Sequence, residues 1–176
     1  ESGPSPYLLG RLRTAAIDFV VGRLAGAEAM DGLSFEHLYS EHLALVVRPD
    51  HPLAGKATVS LTEVAVFQLM MSPRGSIIRP EIDALLIAGG VGRLNAEVET
   101  VSNSLGRAYT LRTHAVWVIS ESVVAGDVAR GQLVLLPVDM RATLGPIGIT
   151  TRSGAELPLP AIAMRDCIRL AASVSR

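Results

Sequence analysis

Two serines flank an arginine in Ser72-Pro73-Arg74-Gly75-Ser76, and behind them Ile78, Ile82, Leu85 and Leu86 recur at the three-and-four interval of a helix with one buried face. An apolar run, VFQLMM at 66–71, precedes them. The pattern predicts a strand, loop and helix unit of the parallel α/β kind. A helix start leaves backbone N–H groups without partners and carries partial positive charge, so an anion is stabilised there. Hydroxyls from Ser72 and Ser76 and the guanidinium fork of Arg74 would add donors matched to a carboxylate. Either Ser76 caps the helix with Pro80 in its first turn, or Pro80 is the first helical residue. The same residues also suit an ordinary turn, with the serines satisfying the backbone and Arg74 solvated. A second anion site facing the loop would separate the two readings.

Arg23 is the candidate for that second site. In AIDFVVGRL, Phe19 to Val21 reads as a buried strand that delivers Gly22 and Arg23 at its end. In a parallel sheet the carboxyl ends of strands line the ligand crevice. Ser102 and Asn103 are further candidates, because either would cap a second helix start that follows the alternating stretch Leu94–Val101. The histidines His37, His42, His51 and His114 lack a partner pattern and read as surface or strand-edge residues. Cys167 falls in the apolar rhythm of the last helix and reads as a small core residue, and Trp117 as core. No Cys or His pair has metal-ligand spacing, and no nucleophile elbow, P-loop or dinucleotide fingerprint is present. Neither a metal nor a cofactor is expected.

Further elements must position these residues. Tyr7–Ala15 reads as a short amphipathic helix, and Phe35–Val47 as a strand or strand pair ended by Pro49 and Pro52. Thr58–Ala65 is a short helix, with Ser60 and Glu63 spaced like a capping box. Gly89-Gly90 stops the central helix. Ala115–Ile119 is a strand, Glu121–Ala129 a helix, Leu133–Val138 a strand, Pro146–Thr151 a returning strand and Leu159–Val174 a closing amphipathic helix. A chain of 176 residues, 49% hydrophobic and 19% charged, buries a sizeable core. Its net charge of -1, with scattered Lys and Arg, argues against this segment gripping a phosphate backbone. No eighteen-residue apolar run is present, so no membrane partner is expected.

Taken in order, LLGRLRTAAIDFVVGRL, the strand into HPLA, EVETVSNSLGRAYTLRTHAVWVIS and GQLVLLPV resemble the effector-binding domain of LysR-type transcriptional regulators. The resemblance covers nearly the whole chain. It departs from the common pattern at Thr14-Ala15 and at His114, where glycine is usual. It implies an α/β fold of two Rossmann-like subdomains joined by two crossover strands, of the type 2 periplasmic-binding-protein kind. Residues 1–48 with 145–176 would form the first subdomain, lacking its opening strand and helix, and residues 49–144 the second. A small carboxylate effector would bind in the cleft, contacted by Ser5, Arg23 and the Ser72–Ile78 loop, with Ile77 and Ile78 packing on its carbon chain. The GRL at 22–24, FEHLYSEH and SIIRP are especially similar to a branch that controls protocatechuate catabolism, which implies a muconate-type effector. DNA contact would be made only through a winged helix-turn-helix outside this segment. Dimers or tetramers would form through the helices at Leu8–Arg13 and Ala84–Ala88. A periplasmic-type solute-binding protein is the alternative; an enzyme would need a general acid or base pair that the sequence does not offer.

Overall fold

In the computed structural model, which describes residues 1–174, the chain divides into two units, residues 1–40 with 145–176 and residues 41–144. Among the described residues sixteen elements include six α-helices, α1 (Ser5–Arg13), α2 (Leu61–Val64), α3 (Arg79–Ala88), α4 (Asn103–Arg112), α5 (Glu121–Ala129) and α6 (Leu159–Val174). The strands are β1 (Val20–Arg23), β2 (Leu33–Glu41), β3 (Leu43–Val47), β4 (Leu69–Met71), β5 (Glu97–Glu99), β6 (Val116–Ser120), β7 (Val134–Leu135) and β8 (Gly145–Arg152). Two short 3-10 turns complete the set.

The second unit is built on a five-stranded sheet in the order β5-β4-β6-β3-β7. β4 runs parallel to β5 and β6, whereas β3 is antiparallel to β6 and β7. Side chains alternate between two buried faces, as a strand's period of two requires. Leu43, Leu45, Val47, Leu69, Met71, Val116 and Val118 pack with Ile82 and Leu86 of α3 on one face. Ala44, Val46, Met70 and Trp117 pack with Val124 of α5 on the other. Packing on this sheet places β3 in the second unit, although the sequence suggested a boundary after it.

Local signals account for most helix ends. Ser60 and Glu63 form the expected capping box on α2, and the Lys56 ammonium with the Ser60 backbone and hydroxyl holds Glu63 at about 2. α5 and α6 span the expected residues, and Gly90 leaves α3 at φ +80°. Gly106 of α4 lies under the Trp117 indole: a Cβ there would stand 2.6 Å from Cε2.

The first unit has a three-stranded sheet in the order β1-β8-β2. β1 pairs antiparallel with β8, setting Arg23 opposite Ile147, so Arg23 does not end a parallel strand as the sequence suggested. Val21 is exposed, which corrects the expectation of a buried strand at this point. Gly148 admits Phe35 and the Glu36 carbonyl against β8, and Arg169 of α6 holds Glu36 bidentately at 2.6 and 2.7 Å. Arg152 donates to the Leu12 and Ile17 carbonyls at 2.9 and 3.0 Å, closing the turn after α1. Ala15 in that turn takes φ +58°, a left-handed conformation that glycine adopts without strain. His114, the other departure from the family pattern, has no such φ and needs no glycine.

Two further expectations are corrected. Cys167 is exposed, beside Met164 and Leu170 on the outer side of α6, because Ala161, Ile162, Arg165, Ile168 and Ala172 occupy the inner stripe. His51 is buried at 3% exposure. The Leu53 N–H donates to its Nδ1 at 3.1 Å, so the ring proton sits on Nε2, which donates to the His114 carbonyl at 3.1 Å. Phe67 packs on the ring at 4.4 Å between centroids. Burial above all holds the His51 pKa below its ordinary value, with the nearby His114 and Arg48 charges adding to it.

Four outcomes follow from this packing. Gly106→Ala lowers stability by about 1–3 kcal/mol in urea denaturation, because the ring beneath it is fixed. Gly126→Ala in α5 meets only the movable end of Arg130 and raises stability by up to about 1 kcal/mol. Ala15→Gly likewise raises it by up to about 1 kcal/mol through relief of the left-handed backbone. A neutral His51 in the fold against a protonated one in the unfolded chain means stability present above pH ~6.5 and lost as pH falls below it. The loss is at most about 1.4 kcal/mol per pH unit, read by urea titrations at pH 7 and pH 5. His51→Asn, which keeps an acceptor for the Leu53 N–H, flattens that dependence.

Candidate functional site

β4, β5 and β6 run parallel, so all three end at the same edge of the second unit's sheet and each leads there into a helix: α3, α4 and α5. Three helix N-termini therefore gather at one edge, each with partial positive charge and N–H groups lacking helical partners. The chain treats them differently. Glu41 accepts from the Ser122 N–H at 3.1 Å, placing a protein carboxylate on the start of α5. Ser102 caps α4, its hydroxyl accepting from the Leu105 N–H at 3.3 Å, which resolves the choice between Ser102 and Asn103. Asn103 is the first residue of α4 and is exposed.

The cap residue of α3 makes no side-chain hydrogen bond to the helix start. Ile78 holds the cap position and Pro80 lies in the first turn, so neither sequence alternative for this helix start matches in full. Ser76 does not cap because its backbone is committed to the loop: its N–H donates to the Pro73 carbonyl at 3.1 Å, and its own carbonyl accepts from the Arg79 N–H at 3.3 Å. The Ser76 Oγ is closed to solvent and has no hydrogen-bond partner among the described residues. Ser72 and Ile77 are half-buried, and Ile78 packs against the core. Gly75 takes φ +85°, the left-handed turn that closes the loop.

Arg74 is 74% exposed and extends over β5, with Glu97 at 3.5 Å and Glu99 at 3.9 Å. The arginine that the structure buries is Arg79, which sequence reasoning missed. At 4% exposure its Nε donates to Asp83 at 2.8 Å, Nη2 to Glu97 at 3.0 Å, and Nη1 to Glu99 at 2.7 Å and to the Ser72 carbonyl at 3.3 Å. Burial works against this charge, yet the bonds to Asp83, Glu99 and Glu97 outweigh it and raise the guanidinium pKa. Two signals were available: the i,i+4 spacing of Arg79 and Asp83, and Glu97 and Glu99 on one side of a strand.

In the first unit, Ser5 is the first residue of α1 and half-buried. Arg23 closes β1, half-buried, with its guanidinium over Gly145, where a Cβ would stand 2.7 Å from Cζ. Among the described residues no group of His, Cys, Asp and Glu could hold a metal ion, and no helix is long and apolar enough to cross a membrane.

Residues 1–173 match the family model of the LysR substrate binding domain. The chain is 43% identical over 171 residues to the HTH-type transcriptional regulator PcaQ of Agrobacterium fabrum, covering 97% of this chain and 55% of that protein. It thus spans about half the length of the curated relatives it matches. Among solved structures, the Synechocystis PCC6803 CcmR regulatory domain in complex with 2-PG superposes with a TM-score of 0.76 at 20% identity, over 96% of this chain and 80% of that one. The effector-binding domain of QuiR in complex with shikimate gives 0.71 at 17% identity, over 93% and 76%. The fold is therefore the two-subdomain, type 2 periplasmic-binding-protein-like α/β architecture, and the chain belongs to the LysR substrate-binding domain family.

Proposed function

We propose that this chain is the effector-sensing domain of a transcription regulator that responds to a small carboxylated intermediate of aromatic catabolism, of muconate or protocatechuate type. The observation that carries the reading is the β4–α3 corner. There a helix N-terminus without a side-chain cap meets a buried Ser76 hydroxyl that has no described partner. A carboxylate would be stabilised by the partial positive charge of that helix start and by a hydrogen bond from the hydroxyl. The similarity to PcaQ supports the aromatic-catabolism class.

Arg74 suits a mobile role: an exposed ion pair at 3.5 and 3.9 Å contributes little, so its guanidinium is available to a ligand carboxylate. Arg23 is the second cation and Ser5 a further contact, both from the family resemblance. Ile77 and Ile78 give the carbon chain an apolar wall, and Ser102 and Asn103 flank the neighbouring helix start. DNA is bound by a winged helix-turn-helix outside this segment. Oligomers form through α1 and the Ala84–Ala88 end of α3, where Ile87 is 73% exposed. The ligand acts as a switch only by the difference in its affinity for two arrangements of that oligomer.

A thermal-shift screen of protocatechuate-pathway acids tests the class, because a ligand of the folded state at a hundred times its Kd adds about 2.7 kcal/mol of stability. Absence of any shift across the panel removes the reading. In titration calorimetry Arg23→Ala weakens the binding acid by about ten- to a hundredfold, the loss of one charge-assisted contact. Equal affinity in the variant and the parent would remove Arg23 from the site.

A further inference from the structure

We infer that Arg79 is the positioning residue of the Ser72–Ile78 corner, acting on a bound anion through the loop and not by touching it. The inference rests on the anion-binding reading of that corner. Arg79 ties both ends of the loop. Its side chain donates to the Ser72 carbonyl at 3.3 Å, and its backbone N–H donates to the Ser76 carbonyl at 3.3 Å. Its other side-chain bonds, to Asp83, Glu97 and Glu99, fix the guanidinium to α3 and β5 at once. With these acceptors served and 4% of the residue exposed, Arg79 has no fork to offer a ligand.

Charge points the same way. Asp83, Glu97 and Glu99 stand beside a helix start that is to receive an anion, and a carboxylate there meets them as like charges. Arg79 offsets that repulsion from inside the fold, where salt screens it least. Without it, the exposed Arg74 would be the one cation paired with Glu97 and Glu99 among the described residues. A lysine could restore the charge but could not reach four acceptors in one plane.

The test compares the parent with Arg79→Lys and Asp83→Asn. Titration calorimetry uses cis,cis-muconate and protocatechuate, and amide hydrogen exchange is followed in the ligand-free chain. Arg79→Lys is expected to weaken binding of the acid by about tenfold, the usual size of an effect transmitted through a contacting residue. It should also speed exchange in residues 72–78 while β6 stays protected. Asp83→Asn keeps an acceptor oxygen for the Arg79 Nε but removes its charge, so it weakens the tie and lifts one like charge at once; it is read by exchange, which should rise in residues 72–78 by a smaller factor. If the parent binds and Arg79→Lys binds equally well, Arg79 is a fold-holding cluster only and the inference is overturned while the effector reading stands. Unchanged exchange in the loop, or exchange accelerated uniformly through the second unit, overturns it too. If the parent binds neither acid, the effector class is wrong, and loop exchange alone decides whether Arg79 holds the corner.

Discussion

Parallel strands cannot be joined by a tight turn, so each needs a crossover, and in the second unit three of the segments that leave the parallel strands are helices starting at the edge where the strands end. That constraint concentrates three helix N-termini, with their partial positive charge, on one side of one sheet. Everything notable about the corner follows from how this charge is met. Glu41 meets it at α5 and the Ser102 hydroxyl at α4. At α3 the cap residue is the apolar Ile78, the Ser76 backbone is spent within the loop, and the Ser76 hydroxyl is closed to solvent.

The acidic strand β5 complicates that corner. Two carboxylates on one side of an edge strand, with Asp83 opposite, repel any anion nearby unless they are neutralised. A guanidinium is suited to the task, since its planar fork can serve several acceptors at once and keeps its charge when buried. Arg79 is therefore enclosed and fully engaged, whereas Arg74, five residues earlier, stays in solvent on the outer rim of the same acids. Two arginines of the same loop and helix start thus have opposite physical characters, one fixed and one movable.

The first unit is organised differently. Its sheet is a narrow antiparallel one, and its order depends on a few long side chains: Arg152 reaching two carbonyls near α1, and Arg169 gripping Glu36. The close approach of Phe35 to Gly148 makes the same point, for no other residue type would leave room for that ring. Apolar side chains on the outer side of α6, Leu159, Met164 and Leu170, stay exposed. A hydrophobic helix face in the sequence is not by itself evidence of which face turns inward.

By itself the sequence determined what depends on residues a few positions apart. The capping box at Ser60 and Glu63, a helix cap at Ser102 or Asn103, the bounds of α5 and α6 and the strand–loop–helix corner at 66–88 were legible, because propensity, capping and periodicity act over single turns. So was the family fold, carried by the order of its segments. Tertiary structure alone decided which groups lose their water. Arg79 is buried by acids up to twenty residues away, His51 by a carbonyl 63 residues away, and Cys167 is left outside because a different stripe of α6 meets the sheet. Burial is a property of what packs against a residue, and that partner is supplied by distant chain, where local pattern carries no information.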